Sequence, residues 1–303
     1  MSETDRIVPR GSFSLEAAAG FGFGPNEGRP PAFDGAMRLA FPRDDGAGYA
    51  GAVLRQPDGP DGPVEVALEL RGETGELTRG AALAQVARIV SLDHDGEAFA
   101  AVGDRDPVLG ALQRAHPGQR PVLFPSPYEA AAWSVLSARR PAHQGAQVRA
   151  ALGSELGETF KLAGETIPAF PVPERLAQIP DGFPGLNAMK IQRLRGVAAA
   201  ALAGQLDVAR IHELGPGAAF EDVQRIAGIG PFYASLIVLR ASGFADAWVQ
   251  MPTHRGVDHT ARYYGIEGEL GARRLAELAD CWRPFRVWAL VLIRVAGERG
   301  TRI

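Results

Sequence analysis

The chain has 303 residues, about twice the length of one ordinary domain, and is 46% apolar and 22% charged. That length predicts two domains and that composition excludes a disordered chain. No apolar run reaches the roughly 18–20 residues of a bilayer span, and the opening MSETDRIVPRGSF lacks a signal-peptide core. One cysteine, Cys281, excludes a disulfide framework, a four-cysteine iron–sulfur cluster and a cysteine-rich zinc site, and a reducing, cytoplasmic location is expected. The net charge of −3 conceals a gradient. Residues 1–118 carry 11 basic and 18 acidic side chains, whereas residues 119–303 carry 21 and 17, so a polyanion would meet the C-terminal part. All the basic residues except Lys161 and Lys190 are arginine, as a GC-rich genome would also produce.

Residues 1–34 are rich in Gly and Pro and weakly patterned, and form an N-terminal segment. Period-two alternation predicts strands at 36–41 and 64–70, separated by the turn cluster Gln56–Pro63. Helices at about 80–92 and 107–115 complete an α+β domain over 35–118. From 119 to 303 the pattern is helical. Ser126-Pro127-Tyr128-Glu129 has a capping Ser, a Pro at the first helical position and Glu at the third. Further helices are predicted at 143–154, 187–203, 206–213, 220–227, 231–242, 257–264, 271–281 and 284–298. No strand pattern is visible in this part, which is predicted to be all-α.

The most informative stretch is Arg225-Ile226-Ala227-Gly228-Ile229-Gly230-Pro231-Phe232-Tyr233-Ala234, between two amphipathic helices. Gly228 and Gly230 permit a tight turn. Ile226 and Ile229 would pack the helices together. The turn would present the backbone N–H groups of about 228–232 at a helix N-terminus, which suits an anion such as phosphate. A plain αα-turn with glycine caps would carry the same two glycines.

The stretch resembles the hairpin of the helix–hairpin–helix DNA glycosylases, and the chain is most similar to 3-methyladenine DNA glycosylase II among them. Val86–Asp93 with Asp106-Pro107-Val108-Leu109-Gly110 resembles the end of that family's N-terminal domain. Phe124–Ala130 resembles the lead-in to its helical domain, and Trp282-Arg283-Pro284-Phe285-Arg286 its penultimate turn. The resemblance covers most of 35–298. It implies a TATA-binding-protein-like N-terminal domain, then a two-lobed helical domain with the active cleft between the lobes. It also implies DNA repair: a damaged base is flipped out of double-stranded DNA and its N-glycosidic bond is hydrolysed. A bacterial, nucleoid-associated monomer is expected, with no membrane partner and no cofactor. Hairpin carbonyls around Gly228 and Gly230 could hold a monovalent cation.

In the family one Asp stabilises the cationic sugar, about 22–25 residues beyond the first hairpin glycine. Those positions are Gln250, Met251, Pro252 and Thr253, none acidic. Asp258, in Val257-Asp258-His259-Thr260, is then the candidate catalytic carboxylate, placed by a longer loop at a helix N-cap; a plain capping Asp is the alternative. Asp246 is a second, earlier candidate. Phe232 stands where lyase members carry a Schiff-base lysine, which implies a monofunctional enzyme. Base-pocket positions map to Phe232, Leu236 and Arg294. An arginine there would repel the cationic bases that aromatic pockets attract, so the substrate would not be limited to 3-methyladenine; a surface arginine is the alternative. The wedge that fills the gap of a flipped base would come from Ala138–Gln144, with Arg139 or Arg140 entering the minor groove or binding phosphate. A solvated pair at a helix C-terminus is the alternative. A catalytically inactive, damage-sensing DNA-binding protein remains the competing function.

Overall fold

The computed structural model describes residues 4–21, 32–249 and 254–303, and the side chains of His254 and Arg255 are outside the description. An antiparallel sheet comprises β1 (Thr4–Ile7), β2 (Met37–Pro42), β3 (Gly48–Arg55) and β4 (Val64–Gly72) in the order β1-β4-β3-β2. Val64, Val66 and Leu68 of β4 turn inward, toward the fully buried Phe13 and Leu15 and the inner face of the second helix. α1 (Leu15–Ala19) starts at Ser14, whose hydroxyl accepts from Ala17 N, and α2 (Glu76–Ile89) follows the sheet. Both β1 and α1 fall in the stretch read as weakly patterned. Only four residues make β1, and its burial alternates between exposed and half-buried, so it leaves no apolar period.

α3 (Gly96–Arg105) and α4 (Pro107–Ala115) start at Asp95 and Asp106, whose carboxylates accept backbone N–H groups of the first turn. α5 (Pro127–Ser137) is built as its sequence predicts, with the Ser126 hydroxyl accepting from Glu129 N at 3.1 Å and Pro127 at the first position. α6 (Ala142–Leu156) leads into a hairpin of β5 (Glu158–Leu162) and β6 (Glu165–Ala169), which corrects the all-α expectation for this part. Each strand has five residues, and Phe160 and Leu162 bury not on helices but on the outer face of the N-terminal sheet, with Ala40 and Tyr49. Gly51 admits the Phe160 ring: a Cβ there would lie 2.5 Å from it.

The helices continue with α7 (Pro173–Leu176), α8 (Ala188–Leu202), α9 (Val208–Val223) and α10 (Pro231–Ala241). Then come α11 (His254–Tyr263), α12 (Ala272–Ala279), a 3₁₀ turn (Asp280–Trp282) and α13 (Arg286–Glu298). Gly215, at φ 72°, kinks α9 ahead of Pro216, so the two helices expected there are joined. Two helical cores result. Trp133, Leu136, Leu152, Leu194, Ile211 and Ile237 belong to one, made by α5, α6, α8, α9 and α10. The other joins Phe99, Leu109 and Leu112 of α3 and α4 to Leu275, Trp282, Trp288 and Ile293. Asp106 anchors it, accepting from Trp282 Nε1 at 3.0 Å and Tyr264 Oη at 2.5 Å. Arg88 ties sheet and lobes together: it pairs with Asp44 and donates to the carbonyls of Pro125 and Ala241. Burial pushes the Asp44 carboxyl up, with Arg88 opposing the shift. No helix among the described residues is long and apolar enough to cross a membrane.

Candidate nucleic-acid interface and active cleft

The hairpin joins α9 to α10. Ile226 and Ile229 are buried between the helices, and Ile229 N donates to Ile226 O at 3.0 Å. Ile229 thus holds the hairpin by its side chain and could meet DNA only by its backbone. Gly228 takes φ +95°, a left-handed conformation that a side chain would strain. Gly230 caps α10 without a side chain and Pro231 follows as the first helical residue. No side chain therefore satisfies the first N–H groups of α10, those of Phe232 and Tyr233. They form the anion-seeking end of an 11-residue helix. Phe232 is 50% exposed beside them and touches only Tyr233 edge-on among the described rings. One turn further, Leu236 packs half-buried against the first helical core.

Arg193 of α8 lies alongside this hairpin. A Cβ on Gly228 would come within 2.8 Å of Arg193 Cδ. From the same helix Lys190 reaches the end of α5, donating from Nζ to the carbonyls of Leu136 and Ala138 at 3.0 Å each. The turn that follows α5 carries Arg139 at φ +56°, exposed, and Arg140, whose Nη2 donates to Gly185 O at 2.9 Å. His143 and Gln144 stand exposed in the first turn of α6. The hairpin and the turn expected to hold the wedge therefore flank one basic ridge. Neither Lys190 nor Arg193 was singled out by sequence; nothing local marks a lysine that reaches carbonyls some fifty residues away.

The carboxylates are arranged differently from expectation. α11 begins at His254, so Asp258 lies in its second turn and not at the N-cap. Gly256 and Thr260, four residues apart, are buried on one face, and the His259 ring covers Gly297 of α13. That docking turns Asp258 and Arg262 to solvent, and among the described residues Asp258 has no hydrogen-bond or ion-pair partner. Gln250, Met251, Pro252 and Thr253 lie outside the described residues. Asp246 is committed elsewhere: it accepts from Arg286 Nε at 2.5 Å and Arg283 Nη1 at 3.2 Å, locking the Trp282–Arg286 corner.

Arg294 of α13 is partly buried, 3.7 Å from Glu298, with its guanidinium 5.4 Å from the centre of the Phe21 ring. Arg240, at the end of α10, approaches the same ring at 5.2 Å and donates to Val122 O. Burial, then the charge of Arg294, holds Arg240 well below the usual arginine range. Phe21, from the segment read as weakly patterned, thus supplies an aromatic between the lobes, already flanked by two cations. A cavity of about 350 Å³ opens on the other side of Phe21, which lines it together with α1, β2 and the β5–β6 hairpin, and none of its lining belongs to α10 or α13. No cluster of metal-ligating side chains occurs among the described residues.

The helical lobes, the hairpin and the sheet recur together in known structures. A 3-methyladenine DNA-glycosylase from Archaeoglobus fulgidus superposes over 99% of this chain and 100% of its own, at a TM-score of 0.76 and 18% identity. The chain has the fold of a helix–hairpin–helix DNA glycosylase. An 8-oxoguanine glycosylase/lyase from Clostridium acetobutylicum, in complex with double-stranded DNA, matches 99% of this chain and 98% of its own, at a TM-score of 0.64 and 14% identity. In sequence, the chain is 24% identical over 160 residues to a DNA-3-methyladenine glycosylase of Bacillus subtilis. That match takes in 52% of this chain and 53% of the relative, so the chain spans about half the length of the curated relative it matches. No family model matches the sequence.

Proposed function

We propose that this chain is a monofunctional DNA glycosylase that binds double-stranded DNA, extrudes a damaged nucleotide and hydrolyses its N-glycosidic bond. The observation that carries the reading is the Gly228–Pro231 hairpin, which offers unsatisfied N–H groups beside the exposed Phe232, with Arg193, Arg139 and Arg140 at hand. Backbone amides and cations of this kind fix a protein on the phosphate chain, while an aromatic receives an unstacked base. We also assign to the carbonyls around Gly228 and Gly230 a monovalent cation, which would add positive charge beside phosphate. Asp258, an exposed carboxylate with no partner among the described residues, is the group we assign to the cationic sugar. Phe232 in place of an amine leaves water as the nucleophile. Arg294, at a position assigned to the base pocket, would repel a positively charged base, so we assign a substrate range not limited to 3-methyladenine. The N-terminal sheet with α1 and α2 is assigned to the TATA-binding-protein-like unit.

Incubation with duplexes carrying alkylated, deaminated and oxidised bases, read by released base, tests the enzyme. Borohydride should trap no covalent protein–DNA adduct; a trapped adduct would overturn the monofunctional assignment. One observation favours a second reading, a damage sensor without catalysis: Asp258 sits on the solvent face of α11, and Asp246 is bound by two arginines. DNA binding with no base released from any substrate would select it.

A further inference from the structure

The Lys190 side chain has a task that no binding or chemical step above uses. Its ammonium group donates to the carbonyls of Leu136 and Ala138, at 3.0 Å each, where α5 ends. These are among the last carbonyls of that helix, which lack intrahelical partners. Arg139, the next residue, holds φ +56°, a left-handed conformation that a non-glycine residue keeps only where neighbours enforce it. The opposite side of the turn is fixed by Arg140, through Gly185 O. The α8 stem that presents Lys190 is anchored by Asn187, whose side chain accepts from Lys190 N at 2.9 Å, and by the buried Ile191 and Leu194.

Resting on the glycosylase reading, we infer that Lys190 is a positioning residue: it clamps the end of α5 and presets Arg139 in the geometry from which that arginine fills the gap left by an extruded nucleotide. Three donors on a flexible stem suit two carbonyls that diverge from a helix end, and methionine of similar length would supply none. Burial, followed by the charges of Arg140 and Arg193, draws the Lys190 ammonium down to about 8, as expected of a cation held within a basic ridge by carbonyls alone.

The test compares the wild type with Lys190→Met, Lys190→Arg, Arg139→Ala and the Lys190→Met/Arg139→Ala double variant, each checked for folding by circular dichroism. The clamp is read without DNA, by trypsin cleavage after Arg139; cleavage after Arg140 is blocked by Pro141. Lys190→Met should raise that cleavage rate at least fivefold, and Lys190→Arg should restore most of the protection. The wedge is read as fluorescence of 2-aminopurine in a duplex, per bound complex at saturating protein. Lys190→Met and Arg139→Ala should each lower it at least threefold, and the double variant should fall no further than Arg139→Ala alone. An unchanged cleavage rate in Lys190→Met overturns the clamp. Losses that multiply in the double variant, or weaker binding with unchanged extrusion per complex, make Lys190 an ordinary phosphate contact and overturn the inference. A wild type that binds DNA without extruding the reporter sinks the glycosylase reading and the wedge role with it, and trypsin still decides the clamp.

Discussion

The hairpin region and the α11–α13 region are built on opposite plans. Around Gly228–Pro231 groups are left open: the uncapped N–H groups at the α10 start, a half-exposed Phe232 and, nearby, the exposed Arg139. Around α13 charges are closed off: Asp246 lies between Arg283 and Arg286, Arg294 is near Glu298, and two guanidiniums cover Phe21. Open groups are available to a ligand, whereas paired ones mainly hold the fold. The difference teaches that the proposed DNA contact has the firmer physical basis, and that the proposed chemistry would fall to Asp258, a carboxylate the closed side leaves unengaged among the described residues.

The largest effect should come from that carboxylate. Asp258→Asn keeps the shape and removes the charge, and base release from the true substrate should fall by ~10²-fold or more, the order expected for a positioned electrostatic or acid–base group. Its exposure predicts unchanged stability and unchanged or slightly tighter DNA binding. Single-turnover base release beside a binding titration checks this. Unaltered release would remove Asp258 from the chemistry and deepen the contrast between the two sides.

Asp246→Asn should do the reverse. It strips the charge from an anion that two arginines and a backbone N–H share, so the Trp282–Arg286 corner should lose about 1–3 kcal/mol of stability. Base release per folded molecule should stay within a few fold. Denaturant unfolding paired with activity at low temperature separates the two. A catalytic loss in a fully stable Asp246→Asn protein would reverse the roles of the two carboxylates.

Gly230→Asp probes the open side. A Cβ at Gly230 meets nothing within 4 Å and its φ of −90° suits any residue, so the fold should survive. The added carboxylate would sit where phosphate is expected, and DNA affinity should weaken at least tenfold. Unchanged affinity in a folded variant would remove the hairpin from the interface.

The two sides also differ in how much the sequence reveals. Ser126, Pro127 and Glu129 specify a helix start locally, as Gly228-Ile229-Gly230-Pro231 specifies the hairpin, because caps and glycine turns depend on the next few residues. β3 was hidden because its glycines and alanines give no alternation; the small side chains are required by Phe160, more than a hundred residues on. The spacing sets Asp258 at a helix N-cap, whereas α11 begins four residues earlier, in a position that lets the His259 ring dock on Gly297 of α13. Packing of α3 and α4 against α13, and the reach of Lys190 to α5, are tertiary choices that no short window encodes.

The smallest effect is a pH signature of the open side. Lys190 is held at about 8 in the folded chain, against an ordinary 10.5, first by burial and then by Arg140 and Arg193. Below pH 8 the side chain is protonated in both states, and the folded state carries the whole penalty of a desolvated ammonium. Between 8 and 10.5 the unfolded chain holds a proton that the folded chain has released, so stability gains with rising pH. Above 10.5 neither state holds it and the gain is complete. Much of the group remains in contact with water, and solvent screening keeps the gain small. The stability of the wild type relative to Lys190→Met should therefore climb from pH 7.5 to pH 10.5, by denaturant unfolding at fixed ionic strength. The climb should shrink when Arg140→Ala removes one of the neighbouring charges. A difference that is flat across the window would mean that Lys190 titrates as a solvated lysine, and that the ridge beside the hairpin is looser than its hydrogen bonds imply.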